Sequence, residues 1–213
     1  MKIQVALDLT DLLRAVHMAR DLCAAGADLL EAGTPLIKTF GVGSVALLKS
    51  ACPTAEVVAD LKTADVGALE AELAKAAGAD WATVMAATNV ETIEEFARRG
   101  RELGLKTALD TIGVANPYDR VREVLDRVTL DMVILHLGID VQRRRGLTID
   151  QLIAEALRIK RLGVSVAVAG GIGQKELEKI AGTEIDVAII GRAITSAPSP
   201  RESFLLLKSI ITK

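Results

Sequence analysis

The sequence predicts an α/β fold, a (β/α)8 TIM barrel built as a single domain over residues 1–213, on three observations. Eight short runs of Val, Ile, Leu and Ala recur along the chain, amphipathic stretches of helical period lie between them, and polar residues gather where the apolar runs end. Parallel strands covered by helices are buried on both faces, so they read as continuous apolar runs and not as strict alternation.

The first strand is expected at Ile3 to Leu7, followed by a helix from Asp11 to Ala25 and a second strand at Asp28 to Glu31. A third strand, Ala55 to Asp60, leads into a helical pattern from Val66 to Ala77, and a fourth, Trp81 to Met85, into one from Val90 to Leu103. The fifth and sixth are Lys106 to Asp110 and Met132 to Leu135, the latter followed by a helix from Ile149 to Leu162. Ser165 to Val168 and Val187 to Ile190 complete the set, and Pro200 to Ile211 forms the last helix. Ala-Gly-Ala-Asp occurs twice, at Ala25 to Asp28 and Ala77 to Asp80, where a glycine closes a helix just before the next strand. An open, doubly wound sheet is the alternative architecture; strand number, chain length and the polar strand ends favour the closed barrel. No Ser/Pro-rich linker, charge block or low-complexity tract divides the chain.

Half of the residues are hydrophobic but only 2% are aromatic, so branched aliphatics and alanine must fill the interior. The formal net charge of -2 supplies no basic field for a nucleic-acid backbone or an anionic membrane, which favours a small-molecule partner. Cys23 and Cys52 have no metal-ligand spacing and fall in helical stretches, so reduced thiols are expected. Met1-Lys2-Ile3-Gln4-Val5 enters a strand without the features of a secretory signal, and no apolar run reaches the roughly 20 residues that span a bilayer. A cytoplasmic protein is the expectation.

In a parallel barrel the carboxyl ends of the strands form the active face. Asp8, Glu31, Asp60, Lys62, Asp110 and His136 all stand at or just beyond such ends. Glu31 and Asp60 come from neighbouring strands and offer two hard oxygen ligands for Mg²⁺, or for Mn²⁺; the residues alone leave open that they cap helices or solvate loops. Side chains alternate along a strand, so Asp60 and Lys62 are expected on one face, where a protonated lysine either stabilises a developing enediolate or forms an ordinary ion pair. His136, at the end of the sixth strand with Gly138 and Asp140 beyond it, is placed for general acid/base work, whereas His17 falls within the first helix. Val168-Ala169-Gly170-Gly171-Ile172-Gly173 and Ile190-Gly191-Arg192-Ala193-Ile194 put glycine-rich turns after the last two strands, where backbone N–H groups and Arg192 can hold a phosphate.

With these residues in place, the chain resembles the orotidine-monophosphate-decarboxylase superfamily, and its 3-hexulose-6-phosphate synthase branch in particular. The carriers are Ala6-Leu7-Asp8, Glu31 to Lys38, Asp60-Leu61-Lys62-Thr63-Ala64-Asp65, Asp110-Thr111-Ile112-Gly113-Val114, His136 to Gln142 and the two glycine turns. Glu31 stands where the metal-independent decarboxylases carry lysine, and Leu-Gly-Ile-Asp follows His136 where 3-keto-L-gulonate-6-phosphate decarboxylases place an arginine. Leu137 and Phe40 depart from the pattern, replacing an expected Thr and an acidic residue.

The resemblance implies reversible aldol addition of formaldehyde to D-ribulose 5-phosphate. Glu31 and Asp60 hold Mg²⁺ in that scheme, His136 is the base, Lys62 holds the enediolate, and Asp110 orients substrate or base. Asp8 bonds a substrate hydroxyl, and Gly170, Gly171, Gly191 and Arg192 anchor the phosphate. The resemblance also implies a homodimer with shared active sites, Asp65 reaching into the neighbouring subunit. The alternative is 3-keto-L-gulonate-6-phosphate decarboxylase, which reaches a similar enediolate. A silent phosphosugar-binding protein would retain the phosphate turns but not the intact set of acid, base and metal groups.

Overall fold

The computed structural model describes residues 1–138 and 148–212, and in it eight parallel strands close into a barrel in chain order, β1 pairing with β8. The order is β1 (Lys2–Leu7), α1 (Leu12–Ala24), β2 (Leu29–Ala32), α2 (Thr34–Phe40), α3 (Gly43–Ala51), β3 (Glu56–Thr63), α4 (Gly67–Ala76), β4 (Trp81–Met85) and α5 (Val90–Leu103). It continues with β5 (Lys106–Asp110), α6 (Pro117–Leu125), β6 (Met132–His136), α7 (Ile149–Lys160), β7 (Ser165–Ala169), α8 (Gln174–Ile180), β8 (Val187–Ile190), α9 (Arg192–Thr195) and α10 (Pro200–Ile211). The closed ring settles the choice against an open sheet. All eight expected strands form, three of them at their expected bounds and the others within three residues of them.

Local chemistry explains several of these boundaries. Asp11 caps α1 by accepting the Arg14 N–H at 3.0 Å, and Thr148 opens α7 with a reciprocal capping box to Gln151. The glycines of the two Ala-Gly-Ala-Asp segments take left-handed φ of +79° at Gly26 and +84° at Gly78, as helix-ending residues do.

Two apolar layers result from the alternation of side chains along each strand. Outward-facing residues such as Val5, Leu7, Leu30, Val57, Leu109 and Val133 pack against the helices together with Phe96 of α5 and Phe204 of α10. Each such fully buried large side chain contributes about 1.5–3 kcal/mol. Inward-facing Ala6, Leu29, Val58, Ala108, Met132, Ile134, Ala167 and Ile189 fill the barrel itself. At its amino-terminal floor Lys106 pairs with Glu56 and lies 4.9 Å from the centre of the Trp81 ring. The opposite, carboxyl-terminal mouth is left to polar residues. Among the described residues no helix is long and apolar enough to cross a membrane.

The expectation of reduced thiols is overturned: Cys23 and Cys52 are joined in a disulfide, with their Cα atoms 5.3 Å apart. The two lie 29 residues apart in sequence, and only the side-by-side packing of α1 and α3 brings the ends of these helices together. Because the helices run back along the strands, the bridge lies towards the floor of the barrel, away from the mouth.

Closing a loop of this length restricts the unfolded chain, so the bridge should add about 3–4 kcal/mol to stability. Denaturant unfolding with and without dithiothreitol should show a loss of that order, and Cys23→Ala should be insensitive to the reductant. Superimposable wild-type curves would show that the bridge contributes nothing.

Candidate active site

The mouth is organised around Asp60, at the point where β3 leaves the barrel. Its Oδ1 accepts the Thr83 hydroxyl of β4 at 2.9 Å. Its Oδ2 takes the Lys62 ammonium at 2.6 Å and lies 2.7 Å from the hydroxyl of Thr34, the first residue of α2. Thr83 Oγ also accepts the Lys62 backbone N–H at 2.9 Å, so one buried hydroxyl ties together the backbone of one functional residue and the carboxylate of another. The pairing of Asp60 with Lys62 was expected from strand alternation, but the backbone does it differently. The register between β3 and β4 shifts after Ala59, and Lys62 takes a left-handed φ of +48°, with Val66 at +47° just beyond. Left-handed backbone at non-glycine residues costs about 1–3 kcal/mol each and persists where the surroundings impose it.

From Asp60 the charge network crosses the mouth. Lys62 Nζ lies 3.2 Å from Asp110 Oδ2 of β5, and the same oxygen is 3.0 Å from His136 Nδ1 at the end of β6. Asp110 is 1% exposed, and its Oδ1 accepts the Ile112 N–H at 2.8 Å. Burial acts to raise its pKa, but the His136 hydrogen bond and the charges of His136 and Lys62 hold it below the usual carboxylate range. An ionised carboxylate only accepts hydrogen bonds, so Nδ1 of His136 carries a proton and Nε2 is left as the basic nitrogen. Burial opposes the charge of Lys62, yet Asp60 and Asp110 outweigh it and push the ammonium pKa upward.

Glu31 ends β2 on the barrel's inner face, 6% exposed. Burial raises its carboxyl well above the ordinary value, Asp60 and Asp8 raise it further, and Lys62 and a hydrogen bond from Gln4 offset this only in part. Asp8, at the end of β1, is raised by burial and by Asp60. Its carboxylate fills the place of a side chain at Gly33, where a Cβ would stand 2.1 Å from Asp8 Oδ1. Negative charge is therefore crowded at this side of the mouth. Among the described residues no cluster of three or more His, Cys, Asp or Glu forms a complete metal site. Glu31 and Asp60 nevertheless fit a hard cation that completes its sphere with substrate oxygens and water: Glu31 Oε1 has no hydrogen-bond partner among the described residues, and Asp60 Oδ1 has only one.

These groups line one cavity of about 880 Å³, shared by Asp8, Glu31, Asp60, Lys62, His136 and Arg192. Gly170, Gly171 and Gly191 form its wall at the β7 and β8 ends. Gly170, at φ +116°, is pressed against the backbone just beyond β6: a Cβ there would lie 2.2 Å from the Leu137 carbonyl oxygen. Asp110 sits behind His136 and Lys62. Asp65 is exposed, accepts the Val66 N–H at 2.8 Å and does not line this cavity. His17 lies within α1, and Asp140 falls outside the described residues. Sequence reasoning missed Gln4, Thr34 and Thr83; the signal for Gln4 and Thr83 was a polar residue on the inner face of an otherwise apolar strand.

The model of the orotidine 5'-phosphate decarboxylase / HUMPS family matches residues 1–205. The chain is 31% identical over 213 residues to 3-hexulose-6-phosphate synthase of Bacillus subtilis, covering 100% of both. It is 36% identical over 200 residues to the bifunctional enzyme Fae/Hps of Methanoculleus marisnigri, covering 92% of this chain and 49% of that one, so it spans about half the length of such relatives. Among solved structures it is similar to 3-hexulose-6-phosphate synthase from Salmonella typhimurium, with a TM-score of 0.91, 35% identity and coverage of 100% and 99%.

The crowding at Glu31 has a consequence for stability. A carboxyl whose pKa is raised on folding favours the folded state below its unfolded value, near 4.5, and loses that contribution as pH rises through the folded value. In chelated protein, Glu31→Gln should therefore raise Tm at pH 8, by roughly 2–4 °C for each kcal/mol relieved, with the gain shrinking towards pH 5. Paired thermal melts at the two pH values decide it; a lower Tm for the variant at pH 8 would mean that Lys62 already compensates the charge.

Proposed function

The chain belongs to the orotidine 5'-phosphate decarboxylase / HUMPS family, and within that family we propose that it catalyses the reversible aldol addition of formaldehyde to D-ribulose 5-phosphate, giving D-arabino-3-hexulose 6-phosphate. The observation that carries this reading is the Asp110–His136 pair set beside Lys62 in the acidic mouth: a base, an oxyanion partner and three carboxylates, Asp8, Glu31 and Asp60, share one cavity. The full-length likeness to the Bacillus subtilis synthase supports it.

In this scheme the glycine turns and Arg192 anchor the phosphate, and Asp8 bonds a substrate hydroxyl. Mg²⁺, or Mn²⁺ in its place, supplies Lewis acidity toward the ketose oxygens when held by Glu31 and Asp60. His136 Nε2 takes the proton from carbon 1, with Asp110 stabilising the imidazolium that forms. The Lys62 ammonium holds the charge of the enediolate. Carbon 1 then bonds to the formaldehyde carbon, and His136 returns its proton to the former aldehyde oxygen.

The reading extends to a homodimer with shared active sites, in which Asp65 serves the neighbouring subunit. Its exposure beside Val66, Leu69 and Leu73, all exposed apolar residues, supports this. We place the protein in the cytoplasm, as its likeness to metabolic enzymes of small sugar phosphates supports. Loss of carbon dioxide from 3-keto-L-gulonate 6-phosphate would pass through a similar enediolate, so both substrates belong in one assay.

Purified protein with ribulose 5-phosphate, formaldehyde and Mg²⁺ should form hexulose phosphate; EDTA should abolish this and added Mg²⁺ or Mn²⁺ restore it. Turnover confined to 3-keto-L-gulonate 6-phosphate, or full activity in verified metal-free protein, would refute the reading. His136→Ala should lower both synthesis and exchange of the carbon-1 proton with deuterium by about 10²–10⁴-fold while sugar-phosphate binding survives. Exchange at the wild-type rate, followed by NMR, would remove His136 as the base.

A further inference from the structure

Gln4 is fully buried on β1, on the inner face of the barrel one level below the mouth. Its Nε2 lies 2.5 Å from Glu31 Oε2, and only the amide nitrogen can donate there. The next inward-facing residue on β1 is Ala6, which stands in register with Glu31 and whose small methyl group leaves room for the longer Gln4 side chain to reach up to the carboxylate. The other end of the amide has no such purpose: Gln4 Oε1 is buried and without a hydrogen-bond partner among the described residues. A buried carbonyl left unpaired is destabilising, and the neighbouring inward-facing Leu29 and Ile189, in register with Gln4 on β2 and β8, would accept an apolar side chain without that cost. Packing therefore does not account for an amide at this position, whereas the hydrogen bond to Glu31 does.

We propose that Gln4 is a positioning residue for metal binding: by donating to Glu31 Oε2 from below it fixes the carboxylate's rotation and leaves Oε1 as the ligand atom facing the mouth. This rests on the reading of Glu31 as a metal ligand. Groups that orient a ligand in this way typically affect metal affinity by about 10–100-fold when removed.

The test is Gln4→Met, nearly isosteric and unable to donate, with Gln4→Asn as a second variant whose amide falls one methylene short of Glu31. Mn²⁺ binding is measured by electron paramagnetic resonance, and Tm is measured with and without Mn²⁺. The variants should bind Mn²⁺ about tenfold or more weakly. In Gln4→Met the loss of the unpaired carbonyl and the loss of the donor to buried Glu31 move the metal-free Tm in opposite directions, so the deciding quantity is the rise in Tm on adding Mn²⁺, which should be smaller than in wild type. Affinity within twofold of wild type in either folded variant would overturn the proposal, as would a fall in metal-free Tm with affinity unchanged, which marks a purely structural residue. Wild-type protein that binds no Mn²⁺ would instead defeat the metal reading of Glu31 and Asp60, and this inference with it.

Discussion

A single ammonium group holds the mouth of this barrel together. Lys62 Nζ lies between two carboxylates from different strands, 2.6 Å from Asp60 and 3.2 Å from Asp110, and each carboxylate in turn fixes something else. Asp60 gathers Thr34 and Thr83; Asp110 sets the protonation pattern of His136. Without a cation at this point, two buried carboxylates would stand close together with Glu31 nearby, an arrangement that low-dielectric surroundings penalise heavily. The left-handed turn at Lys62 and the register shift in β3 are the means by which the backbone delivers the ammonium to that position.

This also divides what a sequence can reveal from what it cannot. The strands were legible because parallel strands buried on both faces leave continuous apolar runs, and the functional residues were legible because a closed barrel brings every strand's carboxyl end to one mouth. Asp8, Glu31, Asp60, Lys62 and His136 could be placed together from their strand positions alone. The reason given for Lys62, regular alternation, was too simple, since a bulge and a left-handed residue are long-range products of fitting β3 against β4. The bridge between Cys23 and Cys52 was invisible for a related reason: it depends on how α1 and α3 pack. Short α2, α3, α6, α8 and α9 left too little periodicity to delimit.

Charge and stability are separated along the barrel axis. The apolar layers and the Cys23–Cys52 bridge serve the sides and the floor, while the mouth collects carboxylates whose burial works against folding. Gln4 lies at the boundary between the two regions, with one end of its amide engaged and the other unpaired. A chain that tolerates this at the mouth needs a surplus of stability elsewhere, and the aliphatic packing between strands and helices supplies it.

The contact between Asp8 and Gly33 bears on how such a mouth can change over evolutionary time. One oxygen of Asp8 occupies the volume that any side chain at residue 33 would need. Replacement of the glycine is therefore blocked for as long as the aspartate remains, whatever advantage a larger residue there would bring. A lineage can open that route only by first shortening or losing Asp8, which in the proposed scheme also loses a substrate contact. The two positions form an epistatic pair whose order of mutation is dictated by sterics, and the rim between β1 and β2 is the part of the mouth least free to drift.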